Sequence, residues 1–112
     1  MSKFSDEIAV CLKELFPELK IKMETFVNHN GQKLYLDFFI PQLNLIIEVH
    51  GRQHEVFVKH FHGDKSGFKK SKERDNTKLE WAQENNYTLV AVYEKDFPMT
   101  SEKLAKIIQE AV

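Results

Sequence analysis

Cysteine, proline and glycine are scarce in this 112-residue chain: one, three and four residues respectively. A lone Cys11 cannot close an intramolecular disulfide or build a four-cysteine zinc site. It sits among apolar residues at helical spacing and reads as a buried structural thiol. No apolar run approaches the roughly 20 residues that a membrane helix needs. The N-terminus becomes charged and amphipathic at once, so no signal peptide is expected, and the protein is expected to be soluble and cytoplasmic. Neither sign of charge dominates, with 16 basic residues against 17 acidic ones and a net charge of −1. Overall charge therefore names no nucleic-acid or membrane partner. No internal repeat or low-complexity tract is present, and the length suits one compact domain over residues 1–112.

What is present centres on Leu34 to His54, LYLDFFIPQLNLIIEVHGRQH. Two very apolar strands are expected here, Leu34–Ile40 and Asn44–His50, joined at Pro41-Gln42-Leu43-Asn44. Each is interrupted by one carboxylate, Asp37 in the first and Glu48 in the second. A two-residue loop at Gln42-Leu43, the commonest hairpin connection, sets Asp37 directly opposite Glu48. A four-residue loop keeps that pairing, whereas a one-residue slip sends every side chain to the other face. Leu43 suits a positive-φ turn poorly. Facing carboxylates destabilise a sheet unless something positive lies between them, and a divalent cation held by oxygen ligands is the natural candidate. His50 lies two residues beyond Glu48, on the same face.

The flanking elements follow from periodicity. Ser2 to Phe16 reads as an amphipathic helix, with Phe4, Ile8, Cys11, Leu12 and Leu15 on one stripe and Pro17 as its stop. Glu7 sits at the edge of that stripe. Ile21 to Asn28 alternates like a strand, and the Asn30-Gly31 pair after His29 is a hairpin turn signal. The runs Phe38-Phe39-Ile40 and Leu45-Ile46-Ile47 do not alternate, as expected of strands covered on both faces. Phe68 to Asn85 is expected to be helical, with Lys78 and Ala82 on one stripe so that Lys78 can turn inward; Trp81 reads as packing. Tyr87 to Tyr93 is a buried strand. A loop over Glu94 to Pro98 leads to a last helix, capped by Thr100 or Ser101 and running through Ile108. The fold class is therefore α/β (α+β), in the order α-β-β-β-α-β-α, a mixed sheet flanked by helices.

Positive charge collects between Arg52 and Lys78, although the whole chain is nearly neutral. Arg52, Gln53, Lys59, Lys65, Lys69, Lys70, Lys72 and Arg74 form a candidate phosphate-binding stretch. His54, His60 and His62, with His50, offer a zinc reading, but no cysteine accompanies them and structural zinc normally takes four ligands.

An N-terminal helix bearing Glu7, the D-x10-E spacing from Asp37 to Glu48, the V-H-G of Val49-His50-Gly51 with nearby His54, and a later R-D-x-x-K-L at Arg74 to Leu79 together resemble a known group. It is the very-short-patch-repair-like branch of the PD-(D/E)XK nuclease superfamily. The resemblance spans roughly Glu7 to Tyr93 and implies a restriction-endonuclease-like fold and metal-dependent hydrolysis of DNA. On that resemblance Asp37 matches the central metal-binding Asp and Glu48 the acid of the (D/E)XK strand. His50 stands where the superfamily usually has lysine, His54 matches the His after the glycine, and Glu7 matches the first-helix acid. Gln53 and Lys78 are softer matches. Asp37, Glu48 and Glu7 would hold Mg²⁺ or Mn²⁺, with the Val49 carbonyl as a further ligand. The missing strand lysine leaves the activating group open among His50, Lys78 and a second metal. The cysteines of the zinc site in true very-short-patch enzymes are absent, and with them any ground for inheriting mismatch recognition.

Two other classes compete: a non-catalytic nucleic-acid-binding module of the same fold, and a small zinc-binding interaction domain. One small domain offers little sequence readout beyond phosphate contacts, which leaves open structure-specific nicking or specificity supplied by a partner domain or by a second subunit in a homodimer.

Overall fold

The computed structural model describes residues 3–50 and 77–111, and they run α1 (Lys3–Leu15), β1 (Lys22–His29), β2 (Gln32–Ile40), β3 (Leu45–His50), α2 (residues 77–84), β4 (Thr88–Tyr93) and α3 (Ser101–Ala111). The four strands form one sheet in the order β1-β2-β3-β4. β1 and β3 each lie antiparallel to β2, and β4 lies parallel to β3. The class is α+β and the element order is the one the periodicity implies.

β3 has a hydrogen-bonded neighbour on each side and helices over both faces, which is why its residues are apolar without alternation. Leu45 and Ile47 join Phe38, Ile40, Val90 and Val92 beneath Ile8, Cys11 and Leu12 of α1 and Leu104 and Ile108 of α3. Ile46 joins Leu36 and Phe39 beneath Ala82 of α2 on the opposite face. Full burial of each such Leu, Ile or Phe contributes about 2 kcal/mol. Cys11 is a free, buried thiol packed in the first of these layers, and burial raises its pKa. Among the described residues no helix is long and apolar enough to cross a membrane.

The two hairpin turns are solved differently. β1 and β2 pair up to His29 and Gln32, which leaves Asn30 and Gly31 as a two-residue turn with φ of 52° and 82°. Both values fall in the left-handed region, where Asn and Gly are the tolerated residues. Gly31→Ala meets no neighbour, so backbone strain alone acts. Chemical denaturation should show a loss of about 1 kcal/mol.

Between β2 and β3 the loop has four residues, not two. Pro41–Leu43 forms a single 3₁₀ turn, Asn44 closes it at φ 51°, and the Asn44 N–H returns to the Pro41 carbonyl. Leu43 is thus spared the positive φ that it tolerates badly, and Asn44 takes it instead. The register is unchanged: Phe38, Phe39 and Ile40 face Ile47, Ile46 and Leu45.

Candidate functional site

The same register brings Asp37 opposite Glu48, where the backbone ladder gives way to side chains. The Asp37 N–H donates to Glu48 Oε2 at 2.7 Å, and the Val49 N–H donates to Asp37 Oδ2 at 2.8 Å. Each carboxylate thus takes a backbone donor from the facing strand. Reciprocal bonds of this kind fix both side chains without any turn or loop.

The sheet is irregular at this point. Leu36 packs in the α2-side layer, yet so does Phe39, while Phe38 and Ile40 lie on the other side. Strict alternation cannot accommodate that set, so the strand changes phase next to Asp37. The β1–β2 pairing also skips Glu24 and Asp37, and Glu24 has φ 50°. Phe39 and Ile46 are opposite and both face α2. Alternation from Ile46 then directs Glu48 and His50 toward the α2 side.

Glu48 is 3% exposed. Burial raises its pKa most, Asp37's charge raises it further, and Lys78 together with the Asp37 N–H acts in the opposite direction. Lys78 reaches it from α2, with Nζ 2.5 Å from Glu48 Oε1. The reason is local. Ala82, one turn after Lys78, is fully buried against the sheet, so the stripe they share faces inward. Trp81 stacks on Tyr87 with ring centroids 5.3 Å apart, and Tyr87 meets Phe39 edge-on at 5.1 Å. Trp81 is therefore packing. His29 at the end of β1, which the sequence marks only as a turn residue, lies 3.7 Å from Glu84 at the far end of α2.

His50 is buried and its ring contacts that of Tyr93 at 5.4 Å, edge to face. In the parallel β3–β4 pair, Glu48 is level with Ala91 and His50 with Tyr93. Val49 packs into the α1–α3 layer and touches the acid pair through its N–H. Glu7 does not join them. It lies on α1, which packs against the other face of the sheet, and its Oε1 accepts the Met99 N–H at 3.1 Å. Among the described residues no group of three His, Cys, Asp or Glu side chains converges as a metal cage. A helical stripe alone tells which way Glu7 faces the core, not which sheet face the helix covers.

Several sequence candidates lie outside the described residues: His54, Arg52, Gln53, Lys59, Lys65, Lys69, Lys70, Lys72 and Arg74, as well as His60 and His62 of the zinc reading. The described centre is therefore Asp37, Glu48 and Lys78, with Val49 and His50 beside them. Two carboxylates against one ammonium leave an excess negative charge on hard oxygen donors. Such a donor set suits Mg²⁺ or Mn²⁺, which take one or two carboxylates and complete their shell with water and phosphate oxygens. Tyr93 was not singled out by sequence reasoning; only the parallel register, invisible in the sequence, makes it a neighbour of His50.

No protein-family model matches the chain. It is 39% identical over 64 residues to "Uncharacterized protein 307L" of Invertebrate iridescent virus 6, a match covering 56% of this chain and 32% of that protein. It is 34% identical over 62 residues to "Uncharacterized protein 033L" of Invertebrate iridescent virus 3, covering 55% of this chain and 32% of the relative. The similarity thus spans about a third of each of these curated relatives.

Proposed function

We propose that the protein is a metal-dependent endodeoxyribonuclease that hydrolyses phosphodiester bonds at the Asp37–Glu48–Lys78 centre, acting as a soluble intracellular enzyme on DNA. One observation carries this reading: a buried acid, Glu48, is held against a second acid, Asp37, and contacted by an ammonium from another element. A fold gains little from such a group, because two like charges are brought together out of water. Buried acids whose pKa is raised, set beside a specific charge partner, are instead frequent at functional sites.

Asp37 and Glu48 would hold Mg²⁺ or Mn²⁺, with the Val49 carbonyl as the further protein ligand. When bound, the ion polarises the phosphodiester and lowers the pKa of a coordinated water. The chain's own groups do the rest. The reciprocal N–H bonds hold both carboxylates so that neither must reorganise when substrate arrives. Lys78 places positive charge beside Glu48, where it offsets charge developing on the phosphate oxygens. His50, two residues along the same face, would take the proton from the attacking water as general base. Lys78 thereby fills the electrostatic role of the strand lysine that the sequence lacks. Arg52, Gln53, Lys59, Lys65, Lys69, Lys70, Lys72 and Arg74 would contact the phosphate backbone, and His54 would assist at the scissile phosphate. Specificity would come from a second copy or a partner domain.

The test is nicking of supercoiled plasmid in Mg²⁺, Mn²⁺ or EDTA by the wild type and by Asp37→Asn. Nicking that needs the metal and disappears in the variant is expected. Cleavage that persists in EDTA, or that Asp37→Asn leaves intact, would sink the assignment. A wild type that binds DNA but cuts no plasmid, branched or single-stranded substrate would make the domain a binding module.

A further inference from the structure

We infer that Lys95, presented by Tyr93, is a phosphate-binding residue of this same centre, taking a backbone phosphate next to the scissile one. The substrate is then a polynucleotide strand rather than an isolated phosphodiester. This rests on the nuclease reading and extends it beyond Asp37, Glu48, His50 and Lys78.

Because β3 and β4 run parallel, Glu48 with Ala91 and His50 with Tyr93 form successive level pairs. Alternation sets both pairs on one face of the sheet. A small side chain stands beside the acid and an aromatic one beside the imidazole. Tyr93's ring lies 5.4 Å from His50's, and the Lys95 ammonium lies 5.7 Å from the centre of the Tyr93 ring. A path of neighbouring groups therefore steps from Glu48 along β3 to His50, across to Tyr93 on β4, and on to Lys95. In open sheets, ligands gather beyond the carboxyl ends of parallel strands, and this path leads there.

The turn that carries Lys95 is firmly built. Glu94–Asp96 is a 3₁₀ turn in which the Tyr93 N–H donates to Asp96 Oδ2 at 2.8 Å. That bond turns one oxygen of the adjacent Asp96 back toward the Tyr93 backbone. On the other side of Lys95 in sequence, Glu94 lines a groove with Lys3, Phe4, Glu7, Phe97 and Pro98, toward α1. Lys103 braces the turn from α3, donating to the Asp96 and Pro98 carbonyls at 3.0 and 2.9 Å. Among the described residues no carboxylate pairs with the exposed Lys95. A cation on a fixed turn, resting against a ring that touches the site, is placed for a phosphate. The ring face restricts a flexible side chain while leaving its charge in water.

Counterion release makes this measurable without catalysis. Each phosphate neutralised by a lysine contributes about 0.9 to the slope of log affinity against log salt on duplex DNA, and about 0.7 on single strands. Binding of fluorescein-labelled oligonucleotides, duplex and single-stranded, would be followed by anisotropy in EDTA from 50 to 200 mM salt. The comparison is wild type, Lys95→Gln, Lys13→Gln as an exposed lysine on α1, and the ring-retaining Tyr93→Phe. Lys95→Gln should lower the slope by about one contact, so that its deficit shrinks about 3.5-fold across that salt range on duplex DNA. Tyr93→Phe should keep the wild-type slope. An unchanged slope for Lys95→Gln in a wild type that binds would overturn this inference and leave the nuclease reading standing. An equal fall for Lys13→Gln would overturn it too, by showing diffuse charge rather than a site. Absence of binding by the wild type at every salt concentration would overturn it as well, while metal-dependent nicking decides the nuclease reading separately.

Discussion

Lys78→Met should destabilise the fold by about 3 kcal/mol near neutral pH, because it strips a buried acid of its charge partner. Glu48 is 4% and Lys78 19% exposed at the side chain, so the loss belongs at the lower end of what breaking buried pairs costs. The pH dependence is the specific part. Lys78 is among the influences that hold the Glu48 pKa down against burial and Asp37. Without it the folded-state pKa rises further. A carboxyl raised on folding contributes stability that is complete below its unfolded pKa and lost as pH climbs through the folded one. The deficit of Lys78→Met should therefore shrink as the solution is acidified and Glu48 takes up a proton. Urea denaturation at pH 5 and pH 7.5 measures it. Adding Glu48→Gln should restore most of the lost stability at neutral pH, since a pair replaced on both sides by uncharged groups leaves no stranded charge. A loss that is the same at both pH values, or that Glu48→Gln fails to rescue, would mean that Lys78 acts through packing alone. Where the fold is intact, cleavage should fall on the order of 10²-fold, the effect of removing one preorganised electrostatic group.

The acid pair was legible in the sequence for a simple reason. Asp37 and Glu48 are the sole carboxylates in two apolar strands, and a short loop leaves few registers that bury both strands. The loop itself was not legible in detail. Two and four residues give the same pairing, and the choice fell to whether Leu43 or Asn44 would take positive φ. Lys78 was readable from its shared stripe with Ala82, because a helix that buries an alanine completely must also turn its i−4 neighbour toward the sheet. Glu7 shows the limit. Its stripe is real, but which face of the sheet receives α1 depends on long-range packing, and α1 covers the face away from α2. Nor does the sequence announce the change of phase beside Asp37, which accompanies an unpaired Glu24 at positive φ on the neighbouring strand. Tyr93 becomes a neighbour of His50, and brings Lys95 against its own ring, only once β4 is known to lie parallel to β3 in that register.

Glu48→Gln separates what the site does from what the fold needs. The amide keeps an oxygen for the Asp37 N–H, so the reciprocal link between the strands survives in shape. What it removes is a buried negative charge facing another acid. Because burial and Asp37 raise the Glu48 pKa above its ordinary value of 4.5, ionised Glu48 opposes folding, and a glutamine that cannot ionise escapes the effect. The sign fixes the expected curve. Below pH 4.5 the wild type is protonated at this position and enjoys its full contribution. As pH rises through the folded-state value that contribution is lost, while the variant's stability does not follow it. The stability of Glu48→Gln relative to wild type should therefore climb as pH rises above 4.5 and through the folded-state value, and then level off. Thermal or urea unfolding of both proteins across that range reads it directly. Cleavage should move the other way, falling by about 10³-fold at neutral pH with binding in EDTA largely preserved. A relative stability that declines with rising pH would show that Lys78 and the Asp37 N–H more than offset burial, and that Glu48 is held for structure. A variant that becomes relatively more stable with pH yet cleaves like the wild type would leave the buried acid without a catalytic purpose. Only the pairing of rising relative stability with lost cleavage marks an acid retained, against the interest of the fold, for its chemistry.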